Sequence, residues 1–281
     1  MSNRSSVSSA VMEKYTIVKS LGAGKFAEVK EVKHRDSKRS FAWKQVDKEQ
    51  NPFSEAEAQL LGRLKHEHII QVHQVFVQGD VIDMMLELCT GGCMTSYMRS
   101  FVEKYPGGEM YMAPGPCEMA VIFQQLLGAV NFLHENYIAH RDIKPDNVLL
   151  AKGGKWKLAD FNLACEFDPK GHMSEVVGTR HFCAPEVYEG KYTEKCDLYS
   201  AGVLFITLAQ GECYIRPEDE EAEGQKRDVL NPKAWRKFGA GALDFAQEMI
   251  AEEARRCNAD EALRSRWLMQ NSGPGGCCVI S

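Results

Sequence analysis

The chain has 281 residues, 44% of them apolar and 26% charged, with a formal net charge of −5 and a pI near 6.0. That length provides for one large domain or two closely joined lobes with ample core. The acidic balance gives nucleic-acid binding no support. The absence of 18 uninterrupted apolar residues argues against a membrane-crossing helix.

The chain starts with the Ser-rich "MSNRSSVSSA", and residues 1–14 are expected to be a disordered N-terminus. Without an apolar run or a glycine after Met1, neither a secretory signal nor N-myristoylation is expected. The ten cysteines are therefore read as thiols in a cytoplasmic protein, most packed as small hydrophobes. None are spaced C-x-x-C for zinc.

From Tyr15 to about Leu88, apolar alternation predicts strands, with a charged turn at residues 34–39. One helix interrupts them. In "SEAEAQLLGRLKH", Ala58, Leu61 and Leu64 recur at helical spacing, and Ser54 with Glu57 matches a capping box. After Thr90-Gly91-Gly92 the pattern turns helical, with long apolar helices predicted at 117–138 and 197–209. Three stretches read as insertions or linkers: 104–116, 216–227 and the spacer 271–276. Strands followed by helices, in blocks, predict an α+β fold with two lobes.

The strongest local signal is "HRDIKPDNVLL", residues 140–150. A carboxylate, a lysine two residues on and an amide three further share one polar loop, a set suited to phosphoryl transfer. Asp142 can orient a hydroxyl and take its proton, Lys144 can neutralise charge on the moving phosphate, and Asn147 can hold a metal ion.

This string resembles the catalytic loop of the eukaryotic protein kinases, and the other motifs of that family follow in order over residues 15–268. "LGAGKFAEV" (21–29) resembles the glycine-rich loop, with Leu21, Gly22 and Gly24, and with Ala27 in place of the third glycine. "FAWK" ends on Lys44, the implied phosphate-gripping lysine, and Glu57 is its implied partner. "LADFN" (158–162) places Asp160 as a Mg²⁺ ligand beside Asn147. "GTRHFCAPE" (178–186) resembles the end of the activation segment and contains Thr179. Asp197 resembles the family's buried aspartate, and Arg256 is placed to pair with Glu186.

The resemblance implies a small antiparallel sheet lobe and a larger helical lobe, with ATP and Mg²⁺ as cofactors. Val29, Ala42 and Leu149 would sandwich the adenine. Leu86 would be the gatekeeper, and the backbone of Glu87 and Cys89 would meet the purine edge. Leu61, Val72, His140 and Phe161 would form a core column. Lys144 together with Thr179 resembles Ser/Thr rather than Tyr kinases, nearest the calcium/calmodulin-dependent and cyclic-AMP-dependent branches. A monomer acting on Ser/Thr of protein substrates is implied.

The chain departs from the pattern in places. Asn162 replaces the glycine that gives the metal loop its positive φ, and it is among the least penalised substitutes. Glu175 lies four residues before Thr179, where a carboxylate could pair permanently with Arg141 as an activating phosphate does elsewhere. Ser174 is the alternative phosphosite. Of the carboxylates that bind substrate arginines, Cys93 and Thr207 replace two and only Asp146 is retained. No calmodulin-type basic helix is expected after Trp267.

The end, Cys278-Val279-Ile280-Ser281, fits a farnesyl-type prenylation motif. One prenyl chain binds membranes marginally, about 0.8 kcal/mol per buried CH₂, so Cys277 would add a second lipid by palmitoylation. Residues 269–281 then form a flexible tail tethering the protein to a cytoplasmic membrane face. The rival readings are a membrane-tethered pseudokinase scaffold and a soluble kinase with an inert tail.

Overall fold

The structure is a computed structural model in which residues 13–23, 27–105, 108–211 and 229–273 are described. The chain divides into two compact units at Thr90/Gly91.

The first unit is a five-stranded antiparallel sheet with one helix. Its strands are β1 (Tyr15–Ala23), β2 (Ala27–His34), β3 (Ser40–Asp47), β4 (Val72–Gln78) and β5 (Val81–Leu86). Their order is β1-β2-β3-β5-β4. The middle strand, β3, is buried on both faces, with Phe41, Ala42, Trp43 and Val46 in the core. Alternation gives Phe41 and Trp43 one face, where they pack with Tyr15, Val32 and Met85. The Trp43 indole donates to Asp83 at 2.8 Å. Lys44 lies on the opposite face, between Val29 of β2 and Met84 of β5.

Helix α1 (Ser54–Arg63) packs on β4 and β5, burying Ala58, Leu60 and Leu61. The expected capping box does not form. Phe53 is the N-cap and has no side-chain cap bond. The Ser54 hydroxyl turns back to the Asn51 carbonyl at 2.8 Å, and Asn51 Oδ1 accepts from the Phe53 N–H. Glu57 is held by Lys44 instead. Lys14, expected in the disordered N-terminus, offers its carbonyl to the Arg35 N–H at 2.9 Å. Residues 1–12 lie outside the described residues.

The second unit begins with α2 (Met94–Arg99) and the strand pair β6 (Val102–Tyr105) and β7 (Gly108–Tyr111). Part of the stretch 104–116 expected as a linker is therefore a β-ribbon, in register from Val102↔Tyr111 to Tyr105↔Gly108. The Tyr111 hydroxyl fastens it to the Leu208 carbonyl at 2.7 Å. The stretch read as a linker because Gly and Pro are common both in linkers and beside paired strands.

Next come α3 (Pro116–Glu135), β8 (Ile138–Ala139), β9 (Val148–Ala151), β10 (Lys155–Leu158) and β11 (Cys165–Glu166). Then follow α4 (Pro185–Tyr188), α5 (Cys196–Gln210), α6 (Pro232–Trp235), α7 (Ala242–Ile250), α8 (Ala259–Leu263) and α9 (Arg266–Ser272). Every residue of α5 is buried, which makes it the core helix of the unit. Around its Phe205 gather Phe123, Trp235, Phe245 and Trp267, at ring separations of 4.8–5.6 Å.

The spacer expected at 271–276 starts later than its sequence suggested. Asn271 and Ser272 close the last turn of α9 on the Trp267 and Leu268 carbonyls. Residues 274–276, the charge run 216–227, and Cys277 and Cys278 lie outside the described residues.

Candidate active site

In the first unit the chemistry gathers on β3 and α1. Lys44 Nζ meets both carboxylate oxygens of Glu57, at 2.7 and 2.9 Å. The two side chains are 8% and 1% exposed. An ion pair withdrawn from water this far holds only with close geometry, and losing either member would leave a buried charge.

Ala42 is buried and pairs with Leu86. Gly22 pairs with Val29, and a Cβ on Gly22 would meet no atom within 4 Å. Leu21 is exposed, and Gly24 lies outside the described residues. The Glu87 N–H donates to the Gln71 carbonyl at 2.8 Å. Cys89 is half-buried. Leu61 is buried and Val72 half-buried.

In the second unit β8, β9 and α5 fix the loop that holds Asp142. Leu149 of β9 is half-buried and bridges Cys93. The buried Asp197, in the first turn of α5, accepts the backbone N–H groups of His140 and Arg141 at 2.8 and 2.7 Å. It also meets the His134 ring at 2.9 Å. Burial works against its charge, but these hydrogen bonds, that from His134 foremost, outweigh burial and hold its carboxyl below the usual range.

That anchorage sustains the left-handed φ of 64° at Arg141. Complete burial lowers the His140 pKa and keeps the ring neutral. Its Nδ1 accepts the Asp142 N–H at 3.2 Å, so the proton sits on Nε2, facing the Ala159 carbonyl at 3.1 Å. The ring meets Phe161 edge-on at 4.8 Å.

Asp142 is the hub. Thr179 donates its hydroxyl to Oδ1 at 2.7 Å, and Lys144 Nζ reaches Oδ2 at 2.7 Å. Lys144 also donates to the Thr179 hydroxyl at 2.9 Å. The Asn147 amide donates to the Asp142 carbonyl and to Oδ2, at 2.8 and 3.0 Å. Here a carboxylate already accepts an aliphatic hydroxyl, with an ammonium beside both.

The candidate metal ligands are brought together by backbone. The Ala159 N–H donates to the Asn147 carbonyl at 2.8 Å, which sets Asp160 next to Asn147. The Asn147 NH₂ is spent on Asp142, so the amide oxygen is its ligand atom. One amide oxygen and one carboxylate make a hard, oxygen-only set that fits Mg²⁺, which keeps waters and phosphate oxygens for the rest of its shell. Among the described residues no group of three His, Cys, Asp or Glu could hold a metal by itself.

The positive φ expected at residue 162 falls on Asp160 instead, at 60°. Asn162 keeps an ordinary φ, and its side-chain amide donates to Asp160 Oδ1 at 2.7 Å.

Downstream, Arg141 pairs with Glu175 at 2.9 Å, with side-chain exposures of 5% and 57%. Its Nε donates to the Leu163 carbonyl at 2.7 Å, and its Nη1 to the Tyr192 hydroxyl at 3.2 Å. The Tyr192 hydroxyl in turn donates to the Glu175 carbonyl at 2.6 Å. Ser174 next door is exposed. Tyr192 was missed in the sequence; it stands 51 residues from Arg141, with no local pattern to reveal it.

Glu186 pairs with the buried Arg256, whose Nη2 lies 3.1 Å from Glu186 Oε2. On the possible substrate face, the exposed Asp146 accepts the Thr95 hydroxyl at 2.8 Å. Thr207, expected to replace a substrate-binding carboxylate, is buried within α5 with its hydroxyl on the Val203 carbonyl. It is a core residue.

Residues 15–268 match the protein kinase domain family. The chain is 33% identical over 261 residues to serine/threonine-protein kinase PEPKR2 of Arabidopsis thaliana, covering 91% of this chain and 53% of that protein. It is 31% identical to a serine/threonine-protein kinase H1 homolog of Pinctada fucata, covering 93% and 63%. It is 28% identical to calcium-dependent protein kinase 4 of Plasmodium falciparum, covering 91% and 49%. The chain thus spans about half to just under two thirds of the length of these relatives.

Proposed function

The chain belongs to the protein kinase domain family, and on that premise we propose that it transfers the γ-phosphate of ATP to Ser or Thr hydroxyls of protein substrates. The observation that carries this reading is the bonding of Asp142 to Thr179, Lys144 and Asn147. Asp142 orients the substrate hydroxyl and takes its proton as the new O–P bond forms. The bond between the γ-phosphorus and the bridging oxygen breaks, and ADP leaves with that oxygen. Lys144 offsets charge on the moving phosphoryl group, and Lys44, oriented by Glu57, grips the nucleotide phosphates. Asn147 and Asp160 would hold Mg²⁺, which when bound neutralises phosphate charge.

Transfer of labelled phosphate from ATP to generic protein substrates tests the proposal, with Asp142→Ala as control. The wild type should label Ser and Thr, and the variant should lose about 10³-fold or more. A wild type no more active than that variant would leave the pseudokinase scaffold standing.

Glu175 takes the place of an activating phosphate on Arg141, and the enzyme works without phosphorylation of its loop. Its half-exposed pairing with Arg141 supports this. A membrane tether, through a lipid on Cys278 and a second on Cys277, is carried by the sequence motif alone. It makes the protein a kinase of a cytoplasmic membrane face, expected to be monomeric. Mass spectrometry of the C-terminal peptide from eukaryotic cells tests the tether, and an unmodified peptide removes it.

A further inference from the structure

Both candidate metal ligands are turned by a side-chain amide. Asn147 is turned by its own NH₂, which donates to Asp142 at 2.8 and 3.0 Å. Asp160 is turned by the NH₂ of Asn162, two residues on, which donates to its Oδ1 at 2.7 Å. The residue between them, Phe161, is fully buried and packs edge-on against His140. The short turn 160–162 is therefore pinned at its centre by an aromatic contact and across its ends by a hydrogen bond. A glycine at 162 could supply neither the donor nor the backbone restriction, and the φ values here do not call for glycine, because the left-handed residue is Asp160.

We propose that Asn162 is a positioning residue for the metal ligand Asp160. Its amide fixes the carboxylate in one orientation before the cation arrives and holds the turn against rearrangement. The inference rests on the proposed reading of Asp160 as a Mg²⁺ ligand. A carboxylate already oriented gives up less freedom when it takes a cation, and an outer hydrogen-bond partner of a ligand is commonly worth 10- to 100-fold in metal affinity. Asparagine suits this place better than aspartate, whose carboxylate would repel Asp160. It also suits it better than glutamine, whose extra methylene would have to fold back.

The experiment uses the full chain and two variants. Asn162→Ala removes the donor but keeps a Cβ on the backbone; Asn162→Gly removes the donor and frees the backbone as well. Mn²⁺ is titrated by electron paramagnetic resonance in the presence of a non-hydrolysable ATP analogue. Amide hydrogen exchange over residues 160–163 is followed in the metal-free protein. Both variants should bind Mn²⁺ about tenfold more weakly, and the Mg²⁺ concentration for half-maximal phosphotransfer should rise in step. Exchange should be faster in Asn162→Gly than in Asn162→Ala, and faster in both than in the wild type. Wild-type Mn²⁺ affinity in Asn162→Ala overturns the proposal, even if thermal stability falls, because a purely structural asparagine would alter only stability. If the wild type transfers no phosphate, the kinase reading fails by itself, and the Mn²⁺ titration with the exchange rates still decides the role of Asn162.

Discussion

Two arginine–carboxylate pairs bracket the stretch from Glu175 to Glu186, and they differ in depth. Arg256 and Glu186 have side chains 0% and 11% exposed. Arg256 is further fixed by the carbonyls of Ala251 and Lys195 and lies over the Tyr199 ring at 5.0 Å. Arg141 is also buried, at 5%, but Glu175 is 57% exposed. The first turn of α5 reaches both. The neighbouring Lys195 carbonyl accepts from Arg256, and the Asp197 carboxylate accepts the Arg141 N–H. The buried pair works as a rivet, whereas the half-exposed pair holds its segment loosely enough to be adjusted by charge.

The largest effect should come from breaking the rivet. Glu186→Gln leaves the Arg256 charge buried and poorly paired, which costs about 3–5 kcal/mol. Scanning calorimetry should show a melting temperature lower by about 6–20 °C. A shift of a degree or two would mean that the two pairs do not differ as their depths indicate.

Breaking the outer pair should act on rate and spare the fold. An exposed carboxylate adds at most about 1 kcal/mol to stability. Glu175→Gln should therefore melt within about 2–4 °C of the wild type while losing about tenfold in phosphotransfer, about 1.4 kcal/mol of barrier. Phosphatase treatment of the wild type should change nothing, and raising salt from 0.1 to 1 M should bring its activity toward that of the variant. Activity lost after phosphatase would transfer the role to a phosphorylated residue such as Ser174.

The smallest effect concerns the link between the two pairs. The Asp197 carboxyl sits below its ordinary value of 3.8. A carboxyl depressed on folding contributes stability that is complete above the unfolded value and is lost as pH falls through the folded one. The loss from this group therefore lies below pH 4. Asp197→Asn should be less stable than the wild type at pH 7 and should converge with it on acidification below pH 4. Parallel stability curves down to the acid limit would show that the charge of Asp197 does not matter.

Much of this was legible before any coordinates. Lys44 and Glu57 could be named only because the segments around them resemble protein-kinase motifs, whereas Asp142, Lys144 and Asn147 stand within six residues of one another. Glu57 also shows where local reading misleads. Its spacing from Ser54 fits a capping box, yet a buried ammonium 13 residues away bonds it instead. The hairpin at 102–111 was hidden because turn residues look alike in linkers and in tight ribbons.

The sequence by itself determined the order of the elements, the α+β division and the residues in the catalytic loop, because these depend on periodicity and on neighbours in the chain. Tertiary structure decided which donors serve which acceptors. It put Thr179 on Asp142, Tyr192 between Arg141 and Glu175, and Thr207 in the core. It also moved the left-handed backbone from residue 162 to Asp160 and put the Asn162 amide on that carboxylate. Such partners lie tens of residues apart or compete for a single donor, and only the packed chain brings them together and settles the competition.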